Sequence, residues 1–427
     1  MKQIITYILL FIFSVGLCLS LLLLSAKLPK ESIRDNMQDS ADYLCEKQVF
    51  FRMIDGVEAS IIDRYADSIL LNVAWHFDEE KPLESVIWSS YYYTAEVNEN
   101  DNLKKAVFED VPANKQYLRY WHGSTVIVRL LHLVTDIKGM YVIHALLLII
   151  LFVVLMIIIL KRRYLDLLAG LFIGLIITNS FYVPYSLEYT WVYIIMLIAS
   201  IVALRLSRSE NETAMGALFL VTGVITNYLD FLTAETLTLL VPLIIVMYER
   251  LKNGDQKNNL LYSVKQCLLW GIGYAGMWIS KWLIASVVIH ENSFKYVKEH
   301  IDERIGGSVG ESSLIGYIFS AIIRNISDLF PIGYGSTGKI IFGVVVFIII
   351  YLLYVYRSKD IPWKKIGLYL ILGLIPYIRY AVLHEHSFKH DFFTCRAQLA
   401  TILAITLSIN EIIEWRYLKN AFKRNKR

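Results

Sequence analysis

Apolar runs long enough to span a bilayer alternate with short polar connections along most of this chain, and two long polar intervals interrupt the alternation. A hydrocarbon core takes roughly 20 apolar residues per helix, which predicts about ten spans. They run Ile4 to Leu24, Gly139 to Leu160, Leu165 to Val183, Glu188 to Leu206, Thr213 to Leu229, Leu232 to Tyr248, Leu261 to Ile289, Lys339 to Tyr356, Lys365 to Leu383 and Phe392 to Trp415. The expected fold class is all-α: a polytopic membrane helix bundle forming a single integral membrane domain over residues 1–427. Its large loop, 26–138, lies between the first two spans, and a second, 290–338, precedes the eighth.

The first interval has its own periodicity. Ile62, Tyr65, Ile69 and Val73 recur at helical spacing, predicting an amphipathic helix that holds Asp63 and Asp67 on another face. Residues 117–134 predict a second helix, with Arg119, His122 and Arg129 along one side and Ile127, Leu130, Leu131 and Val134 along the other. In the second interval, Ile318, Ile322, Ile326 and Leu329 oppose Ser320, Arg324 and Asp328, the pattern of a helix lying in a membrane interface. The stretch 305–310 reads as a glycine-rich loop.

Composition agrees with the pattern: of 427 residues, 56% are hydrophobic and only 19% charged, too apolar for a soluble globular surface. Lys161 to Arg163, Arg205 with Arg208, Arg250 with Lys252 and Lys257, Arg357 to Lys365, and Arg416 to Arg427 fall on alternate connections. The positive-inside rule makes these cytoplasmic, places both termini in the cytoplasm of a multi-pass cell-membrane protein, and puts both long intervals outside. Dispersed basic residues and a net charge of +4 speak against nucleic acid as a partner. Cys18, Cys45, Cys267 and Cys395 have no CxxC spacing, so neither a disulfide framework nor a zinc site is indicated. The apolar run at the N-terminus exceeds a signal-peptide core and reads as an uncleaved span.

The polar residues of the outer side form three clusters. Asp63 and Asp67 are candidate catalytic acids, a carboxylate on a positioned helix being able to take a proton from a hydroxyl; the competing reading is a solvated helix face. Arg119, His122 and Arg129 suit an anion such as phosphate, against snorkelling at the interface. Tyr91 to Tyr93, Tyr117, Tyr120 and Trp121 read as an interfacial aromatic belt. Arg379, His386, His390 and Arg396 close the outer side. The two histidines have metal-ligand spacing, but Lys389 sits among them without a defined third ligand, so phosphate or hydroxyl binding ranks above metal. Arg396 within a span needs an anion, Asp391 or Asp230 among the candidates. Asn227 and Asp230 lie in a short outer turn, where a helix-cap role competes with substrate binding. A full Walker A or HExxH pattern does not occur, so P-loop nucleotide hydrolysis and zinc hydrolysis have no motif support.

This layout resembles the GT-C superfamily of membrane glycosyltransferases: a first span, a large outer loop with acids before the second span, about ten spans, and Arg and His clusters at the outer ends. The strings Tyr65-Ala66-Asp67-Ser68, Arg119-Tyr120-Trp121-His122-Gly123, Thr226 to Thr233 and His386 to Arg396 are similar to those of a group of bacterial integral membrane proteins. The resemblance implies transfer of a sugar from a polyprenyl-phosphate donor to a glycan, lipid or protein acceptor, without nucleotide or metal cofactor. It also implies that Asp67, or Asp63, is the base, and that Arg119, Arg129, Arg379 and Arg396 hold the departing phosphate with His122, His386 or His390 assisting. An adjacent Asp-Glu pair just after the first span, found in some of these families, is missing here. A flippase for lipid-linked glycans would use the same cations and no base, and a structural or sensory membrane protein would need neither.

Overall fold

A computed structural model of the chain describes residues 2–209, 211–254, 258–296, 298 and 313–415. The glycine-rich stretch 305–310, the basic stretch 416–427 and Lys257 lie outside the described residues. The described residues are 75% helical with almost no sheet. After α1 (Lys2–Ala26), the 26–138 interval folds as α2 (Arg34–Cys45), β1 (Phe50–Arg52), β2 (Ile61–Asp63), α3 (Arg64–Trp75), α4 (Pro82–Trp88), α5 (Glu99–Phe108) and α6 (Ser124–Leu131). Then come α7 (Ile137–Lys161), α8 (Leu165–Ile177), α9 (Leu187–Leu206), α10 (Glu212–Leu229), α11 (Leu237–Lys252) and α12 (Asn259–Val288). The remainder holds α13 (Leu314–Ser327), α14 (Gly335–Val355), α15 (Trp363–Val382), α16 (His384–Lys389) and α17 (Asp391–Ile412), the last with a short 3-10 stretch inside it.

Six of these, α1, α7, α9, α14, α15 and α17, are long and apolar enough to cross a membrane. The other four predicted spans fall on α8, α10, α11 and α12, of 13, 18, 16 and 30 residues. Two stop short of the predicted limits for local reasons. Asn179 enters the left-handed region (φ 53°) and ends α8 before a 3-10 turn containing Pro184. Asp230 accepts from the backbone N–H of Leu232 and Thr233, which holds that segment in a turn and delays α11 to Leu237.

The exposure pattern is that of a protein with an apolar solvent. On α1 the buried side carries Ser14, Cys18, Leu22, Ser25 and Ala26, while Ile8, Leu9, Ile12 and Phe13 point outward. Small residues inside and large apolar ones outside are what helix packing in lipid favours, because lipid solvates leucine as well as a neighbouring helix does. On α14 and α7 the outward apolar surface is broad, far beyond what water-facing helices carry. By contrast α9 is buried over most of its length and forms the centre of the bundle.

Ion pairs and hydrogen bonds tie the basic connections together at one end. Arg162 reaches Glu249, Ser207 and the Leu204 carbonyl; Asp166 accepts from Tyr248 and Asn410; Lys365 meets Glu411 at 3.8 Å. At the opposite end the 26–138 interval docks on the bundle. There α9 begins without a side-chain cap of its own, and Asp67 from α3 supplies one.

Candidate functional site

Asp63 is placed by a strand, not by a helix. β1 and β2 pair antiparallel with Phe50 opposite Asp63, and α3 starts only at Arg64. Asp63 is therefore its N-cap, its carboxylate accepting from Ala66 N–H at 2.8 Å. One turn on, Asp67 is fully buried and points elsewhere. It accepts from the Tyr141 hydroxyl at 2.6 Å, Leu187 N–H at 3.0 Å, Ser186 Oγ at 3.3 Å and Glu188 N–H at 3.4 Å. A carboxylate at the positive end of α9 is favourably placed, and these four donors consume it. Burial lifts Asp67 to about 6, with the Tyr141 hydrogen bond opposing. Burial also raises Asp63, and the charge of Asp67 adds to it.

The predicted helix over 117–134 is broken in two. His122 sits in the left-handed region (φ 54°) and Gly123 N–H donates to the Tyr228 carbonyl at 2.8 Å. A Cβ on Gly123 would strike the Tyr228 ring, so the close approach requires glycine there. The segment before this junction turns Arg119 and His122 toward Asp63, while α6 carries Arg129 away. Arg129 is wholly buried and donates to the carbonyls of Ser25 (2.9 Å) in the last turn of α1, of Leu28 (2.6 Å) just past it and of Ala74 in α3. It satisfies helix-end carbonyls that have no intrahelical partner.

What these elements enclose is a cavity of ≈280 Å³ lined by Asp63, Glu188, Arg119, His122, His386 and His390, with Phe50, Tyr65, Ile69, Leu70, Tyr117, Tyr120, Phe231 and Phe393 as walls. A wider vestibule of ≈630 Å³ shares Tyr65, Ile69, Tyr117, Arg119, His386 and His390 with it and adds Lys115, Lys389, Glu385, Tyr91 and Asn114. Asp63 and Glu188 thus lie in the inner chamber, and the mouth holds Lys115 and the Lys389–Glu385 ion pair, 2.5 Å apart. Arg119 spans both, its guanidinium 4.5 Å from the Tyr117 ring centre and bonded to the Tyr117 hydroxyl at 3.1 Å. His122 holds Nε2 against the Tyr117 carbonyl at 3.0 Å, so that nitrogen carries the proton and Nδ1 is the acceptor. Burial, then repulsion by Lys281, lowers its imidazole to about 3, which keeps it neutral. His386 and His390 stand 4.7 Å apart, ring to ring, with His386 Nε2 against the Leu232 carbonyl at 2.9 Å and His390 stacked on Phe393. Among the described residues no group of three or more His, Cys, Asp or Glu is disposed to hold a metal ion.

Of the candidate catalytic and substrate-binding residues, the cavity gathers Asp63, Arg119, His122, His386 and His390, and leaves the others outside. Besides Asp67 and Arg129, Arg379 is committed to Glu235 (3.0 Å), the Leu232 carbonyl (2.6 Å) and Ser387 (2.9 Å). Asp230 closes its own turn through Thr233 and Leu232. Asn227 is buried on α10. Arg396 is buried over the Tyr189 ring at 4.5 Å and donates to the Ala59 carbonyl at 3.1 Å. Glu188, at the predicted start of a span, is a wall of the cavity. Its signal is in the sequence: an ionisable residue within a predicted span is a functional candidate by default.

The fold and its exposed apolar helices define a helical membrane protein. Comparison of the chain with family models, curated proteins and solved structures returns no match.

Proposed function

We infer that this protein is a membrane glycosyltransferase that moves a sugar from a polyprenyl-phosphate donor to an extracytoplasmic or lipid-linked acceptor in cell-envelope glycan assembly. The observation that carries this reading is the cavity itself, where carboxylates, an arginine and histidines from distant parts of the chain converge among aromatic walls, with lysines at the mouth. In the topology that goes with it, about ten helices span the membrane and both termini are cytoplasmic. The cavity opens on the extracytoplasmic side, because it lies at the end of the bundle opposite the basic connections.

In this reading the base is Asp63, because it lines the cavity while Asp67 is taken up by α9. An acceptor hydroxyl attacks the anomeric carbon and gives its proton to the Asp63 carboxylate. The bond from that carbon to the phosphate oxygen breaks, and the polyprenyl phosphate leaves with the electron pair. Arg119, helped by Lys115, stabilises the charge that develops on the phosphate. Tyr120, Phe231 and Phe393 offer ring faces to the sugar, and His122 Nδ1 accepts a hydrogen bond from one of its hydroxyls.

The test is purified protein supplied with a panel of polyprenyl-phosphate sugars and a cell-envelope extract as the source of acceptor hydroxyls, with free polyprenyl phosphate as the readout. Release is expected for at least one sugar, and Asp63→Asn should lower it by about 10²–10⁴. Donor binding without release, accompanied by movement of the intact lipid between leaflets, would sink the transferase reading in favour of a flippase.

A further inference from the structure

At the end of the bundle away from the cavity, a groove of ≈360 Å³ runs between the first turns of α12 and α15. Lys364, Lys365 and Asn258 supply its polar rim. Lys365 is 3.8 Å from Glu411, whereas Lys364 makes no ion pair among the described residues. Below the rim the walls are apolar: Leu251 of α11 at the back, which packs behind both helices, then Leu260, Leu368 and Ile371. The apolar track continues outward along both helices, through Val264 and Leu268 on α12 and Leu374 and Ile378 on α15, all exposed. Gly367 lies in the groove wall, and a Cβ there would meet nothing within 4 Å. A missing side chain in the second turn of α15 widens the groove at the depth where the polar rim gives way to the apolar track.

We propose that this groove is a binding site for an anionic phospholipid of the surrounding bilayer, with its phosphate held by Lys364 and Lys365 and its acyl chains along α12 and α15. Charge complementarity argues for the anionic headgroup, since two lysines border a groove whose lining includes no acid. Each basic residue near a membrane surface attracts such lipids. Adjoining exposed leucines and isoleucines argue for a lipid over a soluble phosphate, because they give the acyl chains a continuous apolar surface. The proposal does not depend on the transferase reading, because the groove and the cavity share no residue.

The experiment is native mass spectrometry of the full chain released from nanodiscs of phosphatidylglycerol or phosphatidylcholine with matched chains. Phosphatidylglycerol should be retained and phosphatidylcholine lost. Lys364→Gln should weaken retention about fivefold, and Lys364→Gln with Lys365→Gln about thirtyfold. Gly367→Leu should block the groove while leaving thermal stability unchanged or higher, since leucine is the better helix former. Equal retention of the two lipids, or phosphatidylglycerol retention unaffected by either the lysine pair or Gly367→Leu, would overturn the proposal. So would displacement of phosphatidylglycerol by an equal concentration of polyprenyl phosphate.

Discussion

Removing the Asp67 carboxylate should unfold this protein before it disarms it. Four donors converge on that side chain, two of them backbone N–H groups in the first turn of α9 that have no other acceptor in the helix. In Asp67→Ala both N–H groups are stranded in a buried site, at about 1–3 kcal/mol each. With the unpaired Tyr141 hydroxyl added, a loss of about 4 kcal/mol follows. Asp67→Asn keeps one oxygen for Leu187 and Glu188 and turns its amide toward Tyr141, whose hydroxyl can rotate to accept, so its cost is about 1–2 kcal/mol. The pH dependence has a definite sign. Because burial raises the folded-state value of Asp67 to about 6, above roughly 3.9 for an unfolded aspartate, the wild type loses stability as pH rises through that window. The deficit of Asp67→Asn should therefore shrink between about pH 4 and pH 6. Thermal unfolding in detergent across that range, paired with turnover per folded molecule, makes the measurement. Wild-type thermal stability in Asp67→Asn together with a turnover loss of 10² or more would refute the reasoning and make Asp67 the base.

Two further outcomes are expected. Since burial and the nearby Asp67 push Asp63 up, the proposed transferase activity should show an acidic limb of its kcat/KM profile well above the ordinary carboxylate range. A limb near pH 4 would mean that some other group is the base. Gly223 lets α10 and α12 touch backbone to backbone, and a Cβ there would drive into the Trp270 carbonyl. Gly223→Val should thus lower thermal stability, by about 1–3 kcal/mol or more, while Gly271→Ala, with nothing within 4 Å of the new methyl, should leave it unchanged or higher.

The helical membrane character was legible in the sequence, because apolar runs of spanning length record the solvent around a helix and need no knowledge of its neighbours. For the same reason the segments that build the cavity, around Asp63, Arg119 and His386, stood out as polar clusters between apolar runs. Which member of each cluster faces the cavity was not legible. Asp63 and Asp67 are one helical turn apart and look equivalent on a helical projection. What separates them is the strand pairing with Phe50, which makes Asp63 a cap, and the arrival of α9, which claims Asp67. Arg119, Arg129 and Arg379 are likewise alike as residues. One lines the cavity, and the other two answer carbonyls and a carboxylate brought to them from elsewhere in the chain. Periodicity is a local property, but the partner of a buried polar group is set by where distant helices end. The unpaired N–H and C=O groups at those ends reach particular side chains only after the helices have packed. The sequence by itself therefore determined the helices and the polar stretches between them, and the tertiary structure alone decided which charges hold the fold together and which remain for chemistry.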